Sequence, residues 1–341
     1  MNTPSPRIWV LADDKAGHRN QALGVADAVE LPYDIRNLHY TKSASQPNWL
    51  KGASLKGIDI EKSDALKAPW PDIIIAAGRR TAPVALWIKK QAKTQQQKCF
   101  ITQIMWPGKP AHDIDLIATP EHDGIKPSKN IITTLGAPHR VTPSLLKREA
   151  AMWHKTLGEP TSPIISLLIG GNSGKHHLTS SHTKTLVNNA CTLTQRVKGT
   201  LFITNSRRTP EDATQAIYDS LTEFPELDTH FHDVQQTTSR ANPYYAFLAL
   251  ADIILVTGDS ISMVCEAVAS GKPVLLSTSN TLTPPKHQIF HQSLCKAGFA
   301  SLLSAETLDK VESALKKGDT GNSNALFPAQ TVAEAIKNRA L

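Results

Sequence analysis

Four short stretches set small residues beside charged or hydroxyl-bearing ones, a mixture suited to holding an anion. Asp13-Asp14-Lys15-Ala16-Gly17-His18-Arg19-Asn20-Gln21 follows the apolar run Ile8–Ala12, and Gly170-Gly171-Asn172-Ser173-Gly174-Lys175-His176-His177 follows Ile164–Ile169. Thr204-Asn205-Ser206-Arg207-Arg208-Thr209-Pro210 follows a third run, and Gly78-Arg79-Arg80-Thr81 repeats its pattern earlier in the chain. The fourth stretch, TGDSISMVCEAVASGKPVLL, covers residues 257–276 between two apolar runs. Glycine permits close approach of backbone amides to a phosphate, and a helix N-terminus adds unpaired N–H groups. Two arginines at a helix start oppose the helix dipole, an arrangement easier to hold when a phosphate neutralises them. An imidazole at such a turn, His18, can serve as a general base because it titrates near neutrality; a capping role is the equal alternative.

Those turns need a scaffold that delivers them, and the chain alternates short apolar runs with helical patterns throughout. Arg7–Ala12, Asp34–Leu38, Asp72–Ala77, Cys99–Ile104, Asp115–Ala118 and Ile131–Leu135 read as strands, with helices over 20–29 and 82–93. Short uniform apolar runs separated by helices predict a parallel sheet covered on both faces. A second series begins after Gly158-Glu159-Pro160-Thr161-Ser162-Pro163, with strands at Ile164–Ile169, Leu201–Thr204, near Thr229–Phe231, Ile253–Val256 and Val274–Leu276. Helices are expected over 179–197 and 329–341, and either Asp259 or Ser260 caps the helix that carries Ile261, Val264, Cys265 and Val268. Residues 42–67 read as a surface insertion and 318–324 as a loop. Two Rossmann-like, doubly wound halves facing a cleft are the predicted architecture, with ligands at the carboxyl ends of the strands.

Composition narrows the classes. The 341 residues suit two domains, 40% hydrophobic and 20% charged residues are ordinary for a globular chain, and no apolar run approaches the ~20 residues of a membrane span. Met1–Arg7 lacks the pattern of an export signal, and Cys99, Cys191, Cys265 and Cys295 form no CxxC pair, so a reducing, cytoplasmic setting is expected. The net charge of +7 is concentrated in residues 1–155, which hold 22 Lys and Arg against 14 Asp and Glu. This basic first half fits a solvated surface or an anionic partner, a glycolipid or the inner face of a membrane; without aromatic-interleaved basic motifs, nucleic acid is not expected. The turn at 170–177 is neither a Walker loop nor GxGxxG, and Tyr244-Tyr245 begins no YxxxK, which counts against a nucleoside-diphosphate-sugar epimerase. The pairs His176/His177, His230/His232 and His287/His291 lack the companion ligands of a zinc signature, so neither metal nor bound cofactor is expected.

Taken together, GHRNQALGVADAV, GRRTAPVA, ITQIMWP, LIGG, TNSRRTP and NPYYAFLALADIILVTGDSISMVCEAVASGKPV resemble the mitochondrial fission (elongated-mitochondria) family from Ile8 to about Phe299. Its founding plant member recruits a dynamin-related protein to mitochondria, so the resemblance implies an adaptor as one reading. The second half also resembles the donor domain of GT-B glycosyltransferases. That resemblance implies domains at 1–157 and 158–326 with a final helix, 327–341, crossing back to the first. It implies a nucleotide-sugar held by Gly170, Gly171, Asn172, Ser173, Gly174, Lys175, Ser206, Arg207 and Arg208. Asp259, Ser260 and Ser262 would meet the diphosphate or the sugar, and Glu266 the ribose hydroxyls. Asn172-Ser173-Gly174-Lys175 departs from the usual Ser-Gln-Gly of those enzymes, which leaves the nucleotide open.

The reading is therefore a metal-independent glycosyltransferase acting on an envelope glycan or glycolipid, with the adaptor as the alternative. Arg207 stabilises the leaving diphosphate, His18 or Asp14 takes the acceptor proton, and Gly17, Asn20, Gln21, Arg79 and Arg80 face the acceptor. Because the sequence offers no DxD element for a diphosphate-bound metal, nucleotide binding and turnover should survive EDTA. Activity lost in EDTA and restored by magnesium or manganese would show the diphosphate site to be misread.

Overall fold

The computed structural model describes residues 5–109, 111–236, 241–319, 321 and 323–341. Met1–Pro4 of the N-terminal stretch, and Thr320 and Asn322 of the expected loop, lie outside them. The chain divides into two units, residues 1–140 with 327–341, and residues 141–326.

In the first unit, β1 (Ile8–Ala12), α1 (Ala16–Val29), β2 (Tyr33–Asn37), α2 (Asn48–Lys51), β3 (Ile73–Ala77), α3 (Ala82–Thr94), β4 (Phe100–Ile104), β5 (Leu116–Pro120) and β6 (Ile131–Thr134) follow one another. The strands form one parallel sheet in the order β2-β1-β3-β4-β5-β6, with Ile8 beside Ile73 and Leu11 beside Ala76. Alternate side chains of β1 serve opposite faces. Ile8 and Val10 join Val25, Val29, Val332 and Ile336 on one side, while Trp9 and Leu11 join Val84 and Ile88 on the other. This is why the strand reads as an unbroken apolar run.

In the second unit the order is α4 (Pro143–Trp153), β7 (Ile164–Leu168), α5 (Ser180–Val197), β8 (Thr200–Thr204), α6 (Glu211–Thr222), β9 (Thr229–His232), α7 (Tyr244–Leu250) and β10 (Ile253–Thr257). Next come α8 (Ile261–Ala269), β11 (Val274–Ser277), α9 (Pro285–Lys296), β12 (Ser301–Leu302) and α10 (Ala305–Lys316); α11 (Pro328–Ala340) returns to the first unit against α1. The second sheet is again parallel, β12-β11-β10-β7-β8-β9. Leu186, Val187, Ala190 and Ile217 cover one face. On the other, Phe247 stacks on Phe202 at 4.7 Å and Trp153 packs beside them.

Three expectations shift. The boundary falls at 140/141 rather than 157/158, because α4 packs on α7 and its Trp153 joins the second core. Helix α1 starts at Ala16 rather than Asn20, so Gly17 and His18 stand in its first turn. Residues 42–67 are more than a surface insertion: Ala44, Asn48, Lys51 and Ile58 are buried, and Asn48 Nδ2 donates to the carbonyls of Arg79 and Pro107, both at 2.7 Å. Among the described residues no helix is long and apolar enough to cross a membrane.

Gly24 lets α1 lie against the segment at His139: a Cβ there would collide with the His139 carbonyl oxygen and stand 2.6 Å from its carbon. Helix propensity alone favours alanine by about 1 kcal/mol, while backbone overpacking costs about 1–3 kcal/mol. Gly24→Ala should therefore lower the unfolding free energy in urea. A gain in stability would show that this contact is loose.

Candidate functional site

In the second unit one carboxylate organises the turns at the carboxyl ends of the strands. Asp259, 1% exposed, follows β10 and accepts from the Thr257 hydroxyl at 2.7 Å, the Gly171 amide at 2.9 Å and Arg208 Nη2 at 3.0 Å. Thr257 Oγ1 in turn receives the Gly170 amide at 2.7 Å. A Cβ on Gly170 would collide with the Asp259 carboxylate, and one on Gly171 with the Arg208 carbonyl, so both positions exclude a side chain for want of space. Arg208 completes the lock by donating Nη1 to the Asn172 carbonyl at 2.7 Å. The Thr209 hydroxyl donates to the Gly170 carbonyl at 2.5 Å.

Around this hub stand the groups free to meet a ligand. Ser260 caps α8, its Oγ accepting the Met263 amide at 3.4 Å, which leaves the earlier amides of that helix N-terminus available. Lys175 and Arg207 are exposed, and neither makes a hydrogen bond or ion pair among the described residues. Ser173 and His176 exchange backbone hydrogen bonds at 2.9 and 3.1 Å around Gly174, whose φ of +62° suits glycine. On α8, Glu266 is buried (7% exposed) and accepts from the Tyr244 hydroxyl at 2.7 Å. Burial pushes its carboxyl up to about 7 against the lowering effect of Tyr244, and burial likewise pushes the Tyr244 hydroxyl upward.

In the first unit the same device recurs with different partners. Asp13, buried after β1, accepts from the Lys15 amide at 2.8 Å, from Arg80 Nη2 at 2.5 Å and from His18 Nδ1 at 3.2 Å. Burial alone would raise its carboxyl; hydrogen bonds from the His18 ring, the Lys15 amide and Arg80 outweigh burial and hold it well below the usual carboxylate range. Arg80 also pairs with Asp14, and its guanidinium lies 4.0 Å over the Tyr40 ring. Gly78, at φ +85°, leaves room for His18, whose Nδ1 a Cβ there would strike. With Nδ1 on Asp13, His18 keeps Nε2 unbonded among the described residues. A buried carboxylate that accepts a hydrogen bond from Nδ1–H fixes the tautomer in which Nε2 is the base.

The model for the family described as Mitochondrial fission ELM1 matches residues 16–340. The chain belongs to that family. An uncharacterised protein of Rickettsia prowazekii (strain Madrid E) is 28% identical over 97% of this chain and 97% of its own length. The mitochondrial fission protein ELM1 of Arabidopsis thaliana is 26% identical over 65% of this chain and 55% of its own. Among solved structures, a Listeria monocytogenes protein assigned as a UDP-N-acetylglucosamine 2-epimerase superposes with a TM-score of 0.51 at 13% identity, covering 98% of this chain and 96% of that one. A UDP-glucosyltransferase from Polygonum tinctorium does so with 0.50 at 8% identity, covering 100% and 99%. The fold of this ELM1-family chain is of the GT-B type.

Several expected site residues hold other posts. The Asp259 carboxylate is engaged by the Gly171 amide, Arg208 and Thr257 and serves as the strut between turns. Arg208 pairs with that strut, and Glu211 and Asp212 complement the first turn of α6, while Arg207 is unpaired among the described residues. Pro210 is the N-cap of α6, and Ser206 closes the turn by accepting the Arg208 amide at 3.2 Å. Gln21 is buried in α1 and cannot face an acceptor; Gly17 and Asn20 are half-buried, Asp14 is committed to Arg80, and Arg79 donates to the Ser45 and Gln46 carbonyls at 2.9 and 2.8 Å. His291 packs on the turn at 258–259, and burial pushes His287, nearby, downward. Asp13 and Tyr244 were given no site role from the sequence and Lys51 none at all; only the position of Asp13 directly after a strand could have signalled its role.

The raised Glu266 carboxyl has a measurable consequence. Between its ordinary value of 4.5 and about 7 the folded chain holds a proton that the unfolded chain releases. Stability from this group is therefore lost as pH rises through that window, by about 3 kcal/mol in all. Glu266→Gln should flatten the decline, seen by comparing unfolding free energies of parent and variant across the same pH range. Parallel pH profiles would place Glu266 in contact with water.

Proposed function

We propose that this protein is a metal-independent glycosyltransferase that takes its sugar from a nucleotide-sugar held on the second unit and passes it to an acceptor on the first. The observation that carries the reading is Glu266. A carboxyl pushed to about 7 on the helix that opens at Ser260 lowers stability at neutral pH, and the fold retains it. Two ribose hydroxyls donating to it would offset that cost, since hydrogen bonds to a carboxylate favour its ionised form. The N-terminal amides of α8, with Ser262, suit a diphosphate, and the unpaired cations Arg207 and Lys175 suit the charge that builds on it as the sugar leaves. On the acceptor side His18 Nε2, oriented through Asp13, takes the proton of the attacking hydroxyl. Uridine is the first nucleotide to try, because the two structural neighbours above are named for UDP-sugars.

Calorimetric titration with uridine diphosphate, followed by other nucleoside diphosphates, tests the donor half. Binding should tighten from pH 6 to 8, as the ribose selects the ionised Glu266, and Glu266→Ala should weaken it by about 1.5–3 kcal/mol per lost charge-assisted bond. His18→Ala should lower transfer or slow hydrolysis of the nucleotide-sugar by about 10²–10⁴-fold. Arg207→Ala should also slow turnover and leave the melting temperature nearly unchanged, whereas His18→Ala, which removes a donor from buried Asp13, should lower it. The adaptor reading draws on the name of the plant relative; it gains the field if no nucleotide binds and neither substitution alters any nucleotide-sugar activity.

A further inference from the structure

At the carboxyl ends of β1 and β3 the first unit has a half-open cleft of about 310 Å³ whose walls include Lys15, His18, Lys42, Ser45, Arg79 and Arg80, and no carboxylate among the described residues lines it. The two nearest carboxylates, Asp13 and Asp14, are both engaged by Arg80. Arg79 meets only backbone carbonyls, and Lys15 and Lys42 are exposed with no side-chain partner among the described residues. Beside them Lys51 is 5% exposed, and its Nζ donates to the carbonyl of Ala44, another wall residue, at 2.9 Å. Burial and the charges of Arg79 and Arg80 push Lys51 downward. Two buried donors in the same cluster, the Tyr40 hydroxyl and Arg80 Nε, make no hydrogen bond among the described residues. A buried ammonium without a carboxylate, packed near two guanidinium groups, is a costly arrangement that a multiply charged anion relieves.

We infer that this cleft holds a phosphate group. A single carboxylate offers two oxygens and one charge to four cationic side chains. A phosphate offers three or four oxygens and up to two charges, and matches the fork of arginine. The inference rests on the first unit alone. Trp49 and Leu50, 67% and 51% exposed, stand on α2 next to Asn48, which is hydrogen-bonded to the Arg79 carbonyl. An exposed indole beside cationic side chains suits the head-group layer of a membrane, so the phosphate has two sources to distinguish, a soluble molecule and a lipid head group.

The test compares the full-length parent with the double variant Lys15→Glu, Lys42→Glu, two exposed positions whose exchange should leave the melting temperature in place. Inorganic pyrophosphate is titrated at low salt by calorimetry, and sedimentation is measured with phosphatidylcholine vesicles with and without phosphatidic acid. For a soluble source the variant should bind pyrophosphate about tenfold more weakly or worse, as expected for two lost charge-assisted contacts. For a lipid source the parent, and not the variant, should sediment with phosphatidic acid vesicles. Parent and variant behaving alike in both measurements would overturn the inference. A parallel titration with uridine diphosphate reads the second unit: its failure defeats the transferase reading and leaves this comparison intact.

Discussion

Each unit depends on one aspartate withdrawn from water and surrounded by donors from turns distant in sequence. Asp259 joins Gly171, Thr257 and Arg208; Asp13 joins Lys15, His18 and Arg80. A buried charge of this kind is stable only while its donors stay, so the loss of any one leaves the carboxylate under-satisfied. The turns at the sheet ends therefore keep one mutual arrangement, and the groups left uncommitted keep their positions by default. His18 Nε2, Arg207 and the start of α8 are what each set of struts leaves over.

The two aspartates serve different ends. Around Asp259 the glycines matter through lack of volume: the carboxylate occupies the space a Cβ of Gly170 would need, and the Arg208 carbonyl does the same for Gly171. Around Asp13 the strut includes the imidazole itself, so the same hydrogen bonds that close the turn also set the tautomer of a candidate base. Arg80 stacks on Tyr40 and spans both neighbouring aspartates, which fixes the floor of the basic cleft while spending its charge. The cations that remain, from Lys15, Lys42, Lys51 and Arg79, form no ion pair among the described residues.

Much of the fold was legible because parallel strands covered on both faces read as plain apolar runs. Ile73–Ala77 and Ile253–Thr257 are of that kind. The boundary was less legible: Gly158–Pro163 has the composition of a linker, but α4 before it carries Trp153, whose partner Phe202 lies on a strand not yet reached in the sequence. The site was legible as a set of turns and illegible in its pairings. Nothing local distinguishes Asp13 from Asp14; the distinction arises because Asp13 still points into the sheet end while Asp14 has left it, with side-chain exposures of 0% and 43%. Likewise Glu266 could be placed on its helix, but its partner Tyr244 comes from another helix, and only packing brings the two together.

The two stretches of the first unit are separated by the whole of the second, which has consequences for biosynthesis. The apolar face of α1, with Val25 and Val29, is finished by Val332 and Ile336 of α11, and residues 141–326 leave the ribosome in between. The later unit can thus complete its core while the earlier one still shows an uncovered flank to chaperones and proteases. A chain cut short between residue 326 and the middle of α11 would carry a finished second core and an open first one, a natural checkpoint at which quality control could tell whole chains from broken ones.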